Sequence, residues 1–169
     1  MTQNQNTSSG MTSLEKRSIT GLASIFALRM LGLFMILPVF SIAAEQYSGS
    51  TPLLIGLAIG AYGLTQALFQ IPFGMLSDRV GRKRVITAGL LLFAAGSVVA
   101  ATADSIQMVI LGRLLQGSGA ISAAVMALTA DLTRDEHRTK AMASIGISIG
   151  LSFSVALASG AALESWIGL

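Results

Sequence analysis

The chain of 169 residues contains no cysteine, so it can form no disulfide and no cysteine metal site. Its single histidine, His137, sits among charged residues with no partners for a metal cluster, and no cofactor is expected. Charge is scarce as well. Asp, Glu, Lys and Arg together make up 11% of the residues, where a soluble domain carries about 25%. No segment alternates apolar and polar residues, which argues against membrane strands. There is no nucleic-acid module. No His cluster, metal set or nucleophile–base arrangement suggests an enzyme.

What the chain has instead is apolar length. Hydrophobic residues make up 53% of it, and the mean hydropathy is +0.72. Residues 1–17 are a polar tail, and the first ten are too poor in apolar side chains to bury surface. Five apolar stretches follow, at about 19–44, 53–76, 85–103, 106–130 and 141–163. Each can cross a hydrocarbon core of about 30 Å, which takes roughly 20 helical residues. Helices are expected because every backbone polar group must be paired inside lipid. The fold class is therefore all-α, a polytopic membrane bundle of about five helices over residues 18–169. Lys16 and Arg17 before the first stretch and Ala43-Ala44 near its end suggest a signal peptide, but the stretch is too long and Arg29 interrupts it.

The basic residues are unevenly placed. Lys16, Arg17, Arg79, Arg82, Lys83, Arg84, Arg134, Arg138 and Lys140 flank alternate ends of the stretches, nine in all. The other links hold Glu45, Asp104 and Glu164 and no base. The positive-inside rule then puts the N-terminus in the cytoplasm and Leu169 outside. The two-residue link Asp104-Ser105 makes the third and fourth helices antiparallel neighbours. The pairs Gly56/Gly60 and Gly146/Gly150 match GxxxG and are expected to mark close helix packing, although glycine is also simply common in membrane helices.

Two arginines fall inside apolar stretches. Arg29 lies ten residues past Ile19 and Arg113 seven past Ile106, about 15 Å and 10 Å deep. Each costs about 2.5 to 3.5 kcal/mol on insertion scales. Such a charge faces a watery cavity or a partner, or else bonds to helix carbonyls within the protein. Arg113 shares a helix face with Gln116, Gly117 and Ala120. On the second helix Tyr62, Gln66 and Gln70 form a stripe at i, i+4 and i+8. The two stripes suggest one hydrophilic cavity, or interhelical hydrogen bonds that hold the bundle together. In a five-helix chain they are expected to face an open side. No Asp or Glu lies within an apolar stretch, so a proton-titrating carboxylate belongs at a cytoplasmic helix end, such as Asp78 or Asp131, or outside this sequence.

The link after the second stretch reads Gly74-Met75-Leu76-Ser77-Asp78-Arg79-Val80-Gly81-Arg82-Lys83-Arg84. Its glycines allow a sharp turn, and Asp78 can pair with nearby bases or a helix N-terminus. An ordinary basic loop fits too. This run resembles the cytoplasmic signature of the major facilitator superfamily, G-x-L-a-D-r-x-G-r-k. Arg113-Leu114-Leu115-Gln116-Gly117-Ser118-Gly119-Ala120 is similar to that family's fourth-helix signature R-x-x-Q-G-x-G-A. Leu31-Gly32 followed by Pro38-Val39 resembles the first-helix pattern of its twelve-helix drug:proton antiporters, with Ser41 in place of a final proline. Asp131-Leu132-Thr133 with Arg138 resembles its link between the fourth and fifth helices. Gly160-Ala161 stands where antiporters of the family carry Gly-Pro.

The resemblance implies an N-terminal part of a secondary transporter, with two six-helix halves rocking about a midplane site. It implies that Arg113 lines a central cavity and couples protons to substrate, and that Gly74 lets the second helix approach the other half. Asp78 is implied to latch the cytoplasmic side, within a charge network of Arg79, Arg82, Lys83, Asp131 and Arg138. The expected function is proton-coupled efflux of a small molecule from a bacterial inner membrane, needing a C-terminal half that the chain lacks. A non-transporting scaffold or receptor-like subunit is the other reading.

Overall fold

A computed structural model describes residues 10–44 and 47–167, with the side chains of residues 36–39, 41–43 and 160–167 outside the description. The expected features at Pro38, Val39, Ser41, Gly160 and Ala161 fall on those side chains, and residues 1–9, Glu45 and Leu169 lie outside the described residues. Among the described residues six helices succeed one another: α1 Ser13–Ala43, α2 Pro52–Val80, α3 Arg82–Ala101, α4 Ile106–Ser118, α5 Ser122–Asp131 and α6 Asp135–Ile167. They make five helical units long and apolar enough to cross a membrane, with α4 and α5 counted together as Ile106–Asp131.

Side-chain caps set the starts of α1, α2 and α4, and several helices outrun their apolar stretches. α1 starts at Ser13 because Thr12 and Glu15 form a reciprocal capping box: Glu15 N–H donates to Thr12 Oγ1 at 3.2 Å, and Thr12 N–H donates to Glu15 Oε2 at 2.7 Å. Thr51 caps α2, whose first residue is Pro52. α2 then runs through Asp78 and Arg79 to Val80, and α3 begins at Arg82. The expected link of residues 77–84 thus reduces to one linking residue, Gly81. Its φ of +106° is a conformation that glycine adopts without strain.

The fourth stretch, expected as one helix, is broken at residues 119–121. Gly119 N–H bonds to the Gln116 carbonyl three residues back at 3.3 Å, and Ile121 has no side-chain cap. The cause is tertiary. A Cβ on Gly119 would overlap the Gly89 carbonyl of α3, so the two backbones touch here. The Gly119 carbonyl is claimed from outside the helix, by Arg29.

The fourth unit is the most buried of the five. α4 lies between α2 and α3, while α1 packs along α6. Leu22, Phe26 and Met30 of α1 meet Val85, Ile86, Ile121, Val125 and Ile145 in the larger core. A smaller core of Phe40, Ala44, Ala58, Ile106 and Val109 closes the end where Ser48 O accepts from Ile106 N–H at 3.3 Å. Apolar side chains such as Leu53, Leu64, Leu68, Ile71, Leu91 and Ile147 are exposed around the bundle, as a lipid-facing shell requires.

Close packing is achieved by glycines other than the GxxxG pairs. No atom lies within 4 Å of where a Cβ would stand on Gly56, Gly60, Gly146 or Gly150, so those pairs make no helix contact here. A Cβ on Gly96 would lie 2.5 Å from Gln116 N, and one on Gly112 2.7 Å from Ala100 N. One on Gly117 would overlap Thr65 Oγ1 and the Tyr62 carbonyl. These contacts draw α2, α3 and α4 together around Arg113.

Candidate functional site

Arg113 projects from the middle of α4 and is 4% exposed. Its Nη1 donates to Gln116 Oε1 at 3.0 Å, and its Nε to the Ala58 carbonyl of α2 at 3.4 Å. The guanidinium lies over the Tyr62 ring, 5.2 Å from its centroid, a cation–π contact that strengthens as water is excluded. Gln116 is as buried as Arg113, and its Nε2 donates to Ser97 Oγ of α3 at 2.8 Å. The expectation that this face lies open in a five-helix chain is therefore corrected. α2 and α3 close over it because Gly96, Gly112 and Gly117 admit their backbones.

Arg29 of α1 reaches the same interior and is 2% exposed. Its Nη2 donates to the Gly119 carbonyl at 2.9 Å and to Gln66 Oε1 at 3.2 Å, and its Nη1 to Ser122 Oγ at 3.5 Å. The guanidinium is 5.4 Å from the Phe93 ring centroid. Arg29 thus fills the break between α4 and α5, supplying the donor that the missing helical turn would have supplied. The polar stripe of α2 is shared between the two cations: Tyr62 goes to Arg113 and Gln66 to Arg29. Gln70 is half-buried, and its Oε1 has no partner. Arg29 Nε and the Tyr62 hydroxyl are also buried without partners.

At the basic end, Arg82 is the hub. It pairs with Asp78 at 2.6 Å and with Asp131 at the end of α5 at 2.5 Å, and its Nη1 donates to the buried Ser77 hydroxyl at 3.2 Å. Ser77 in turn donates to the Gly74 carbonyl at 2.6 Å. A Cβ on Gly74 would stand 3.3 Å from Ala123 Cβ, so that glycine eases contact with α5 of this same chain. Arg138 does not join Asp131. It pairs with Asp135 at 2.7 Å and donates to the Ala130 carbonyl at 3.5 Å. Arg79 and Lys83 are exposed and make no ion pair among the described residues. Asp78 in the last turn of α2 and Arg82, Lys83 and Arg84 in the first turn of α3 oppose their helix dipoles, and the Asp78–Arg82 pair offsets part of that cost.

A second contact at this end involves residues outside the expected set. Glu15, 5% exposed, accepts from Arg134 N–H at 3.0 Å and from the Arg134 guanidinium at 3.1 Å on each oxygen. Hydrogen bonds to Glu15 hold the Arg134 pKa above its ordinary value. The pattern Thr12-x-x-Glu15 signals the cap, but no local pattern points to a partner 119 residues away. Ser97, Ser122 and the Gly119 and Ala58 carbonyls were likewise hidden, since a serine in an apolar helix and a main-chain oxygen carry no distinguishing signal. Among the described residues, no group of three His, Cys, Asp or Glu could hold a metal ion.

Comparison with known proteins agrees with these features. The chain is 58% identical to the inner membrane transport protein YajR of Escherichia coli over 94% of its own length and 35% of that protein's. It is 46% identical to an uncharacterized transporter of Buchnera aphidicola over 94% of the chain and 40% of the relative. Similarity to the bacillibactin exporter of Bacillus subtilis is 34% identity over 89% of the chain and 39% of the exporter. The chain therefore spans just over a third of the length of these relatives. The family model of the Major Facilitator Superfamily matches residues 22–169, and the chain belongs to that superfamily.

Proposed function

We propose that this chain forms the N-terminal part of a secondary active transporter that exports a small molecule by alternating access, coupled to protons across a bacterial inner membrane. The observation that carries the proposal is the pair of guanidiniums, Arg29 and Arg113, buried inside membrane-length helices and gathered on one stripe of α2. A packing role alone could be filled by neutral side chains without the cost of burying two charges. The relatives' names, a transport protein and an exporter, favour the same reading. Every described Asp or Glu side chain lies at or near a helix end. In this reading the proton-carrying carboxylate lies at a helix end of the basic side, such as Asp78 or Asp131, or in the length of the relatives that this chain does not span.

In this proposal the basic end faces the cytoplasm, and the Asp78–Arg82–Asp131 cluster holds that end shut in the outward-open state. The test is a full-length chimera in which residues 1–169 replace the matched segment of the Escherichia coli relative, reconstituted in proteoliposomes. An imposed pH gradient should drive uptake of a compound from an efflux-substrate panel. Arg113→Ala should abolish coupled uptake while the protein stays folded, and Arg113→Lys should be impaired, because an ammonium cannot make the same divergent bonds. Coupled transport at the unmodified rate in Arg113→Ala would remove Arg113 from the mechanism.

A further inference from the structure

The interior of the bundle carries two positive charges, and among the described residues no carboxylate balances them. Among the described residues, neither Arg29 nor Arg113 forms an ion pair. Every acceptor they use is neutral: the Gly119 and Ala58 carbonyls, two glutamine oxygens and a serine hydroxyl. Arginine stays protonated in proteins, and a buried charge with only neutral partners is incompletely compensated.

The unpartnered groups around the pair are specific. Arg29 is 2% exposed and its Nε has no acceptor, while Tyr62 is 6% exposed and its hydroxyl has no partner. Both are donors that an incoming oxyanion could use. Tyr62 and Gln66, which contact Arg113 and Arg29 respectively, are four residues apart on α2, about 6 Å along the axis. One turn further, Gln70 Oε1 lacks a donor. The cluster therefore offers positive charge and free donors at one level and a free acceptor beyond it.

We propose that Arg29 and Arg113, with Tyr62, form a binding site for the carboxylate of a small organic acid, whose hydroxyl or N–H group donates to Gln70. Arginine suits this task because its planar donors match a carboxylate. The acid supplies the counter-charge that the helices lack. The proposal rests on the transport reading of these residues but has its own readout, since binding needs no flux.

The test uses the 169-residue chain in detergent and mandelate as probe, an acid with a hydroxyl beside its carboxylate. Equilibrium dialysis at fixed ionic strength measures binding of labelled mandelate against mandelamide, which is neutral and nearly isosteric. Saturable 1:1 binding of mandelate is expected, with mandelamide at least tenfold weaker and Arg113→Gln at least tenfold weaker for mandelate. Should Arg113→Gln not fold, Tyr62→Phe removes only the unpartnered hydroxyl, and its affinity should fall at least threefold with helical content unchanged. Gln70→Leu should weaken mandelate more than benzoate, which has no hydroxyl. No saturable binding, or equal binding of mandelate and mandelamide, overturns the proposal. So does binding that disappears in the full-length chimera, because a carboxylate of the remaining helices would then occupy the pair. Mandelate binding without transport in the chimera would leave this site standing and remove the transport reading; transport without anion binding would do the reverse.

Discussion

Arg29 Nη2 on α1 donates to the Gly119 carbonyl at 2.9 Å, across the break between α4 and α5. This bond joins a charge that is costly in a membrane to the unpaired carbonyl of a helix interruption, and each offsets part of the other's cost. Arg29→Ala should therefore strip the Gly119 carbonyl of its donor and leave a cavity. A loss of about 2 to 4 kcal/mol is expected, from the unmade bonds and the lost packing. Arg29→Lys should recover less than half, since one ammonium cannot reach Gly119, Gln66 and Ser122 from the same position. Thermal unfolding in detergent measures both; equal stability of Arg29→Ala and the unmodified chain would show that the break supports itself.

The glycines divide into two classes. Gly117→Ala should destabilise by about 1 to 3 kcal/mol, because its methyl overlaps Thr65 and the Tyr62 carbonyl and α2 must move away from Arg113. Gly56→Ala and Gly146→Ala meet open space. They should be neutral or stabilising by up to about 1 kcal/mol through helix propensity. Gly117→Ala should have the lowest midpoint of unfolding of the three variants, and a larger loss for Gly56→Ala than for Gly117→Ala would reverse the assignment of the packing faces.

The Asp78–Arg82–Asp131 cluster is largely exposed on its carboxylate side, with Asp78 at 61% and Asp131 at 54%. Removing one exposed pair should change stability by less than about 1 kcal/mol. Asp78→Asn is thus expected to keep the midpoint of unfolding while weakening closure of the basic end and slowing turnover in the chimera. Cross-linking across that end should report a shifted population. An unchanged distribution between states would make the cluster an ordinary surface network.

The nine basic residues near alternate helix ends predict a cytoplasmic N-terminus. The chain has no cysteine, so a single Lys83→Cys is a clean reporter. It should react with a membrane-impermeant maleimide only in inside-out vesicles. Reaction in right-side-out vesicles would invert the topology.

Much of this arrangement is legible in the sequence, and what is hidden has a common cause. Five spans follow from apolar length, because lipid leaves helices as the open choice. Arg113 and Gln116 read as residues of one face because of their i, i+3 spacing, and the structure joins them by a hydrogen bond. The break at residues 119–121 is not legible: it depends on Gly89 and Arg29, both distant in sequence. GxxxG spacing reports that two glycines share a face but not what that face meets, and at Gly56 and Gly146 it meets no other helix among the described residues. The Asp78–Arg82 segment reads as a loop because charges end apolar runs, yet Gly81 alone makes the turn.

Alternating access as proposed requires the polar stripe of α2 to open in turn to each side of the membrane. Gln70 is the position to probe, being half-buried, with a free Oε1. In a cysteine-free version of the chimera, Gln70→Cys should be labelled by an impermeant thiol reagent from both faces. Locking the basic end with a cross-link should abolish labelling from that face and leave the other. Labelling from one face only, whatever the state of the cross-link, would contradict alternating access.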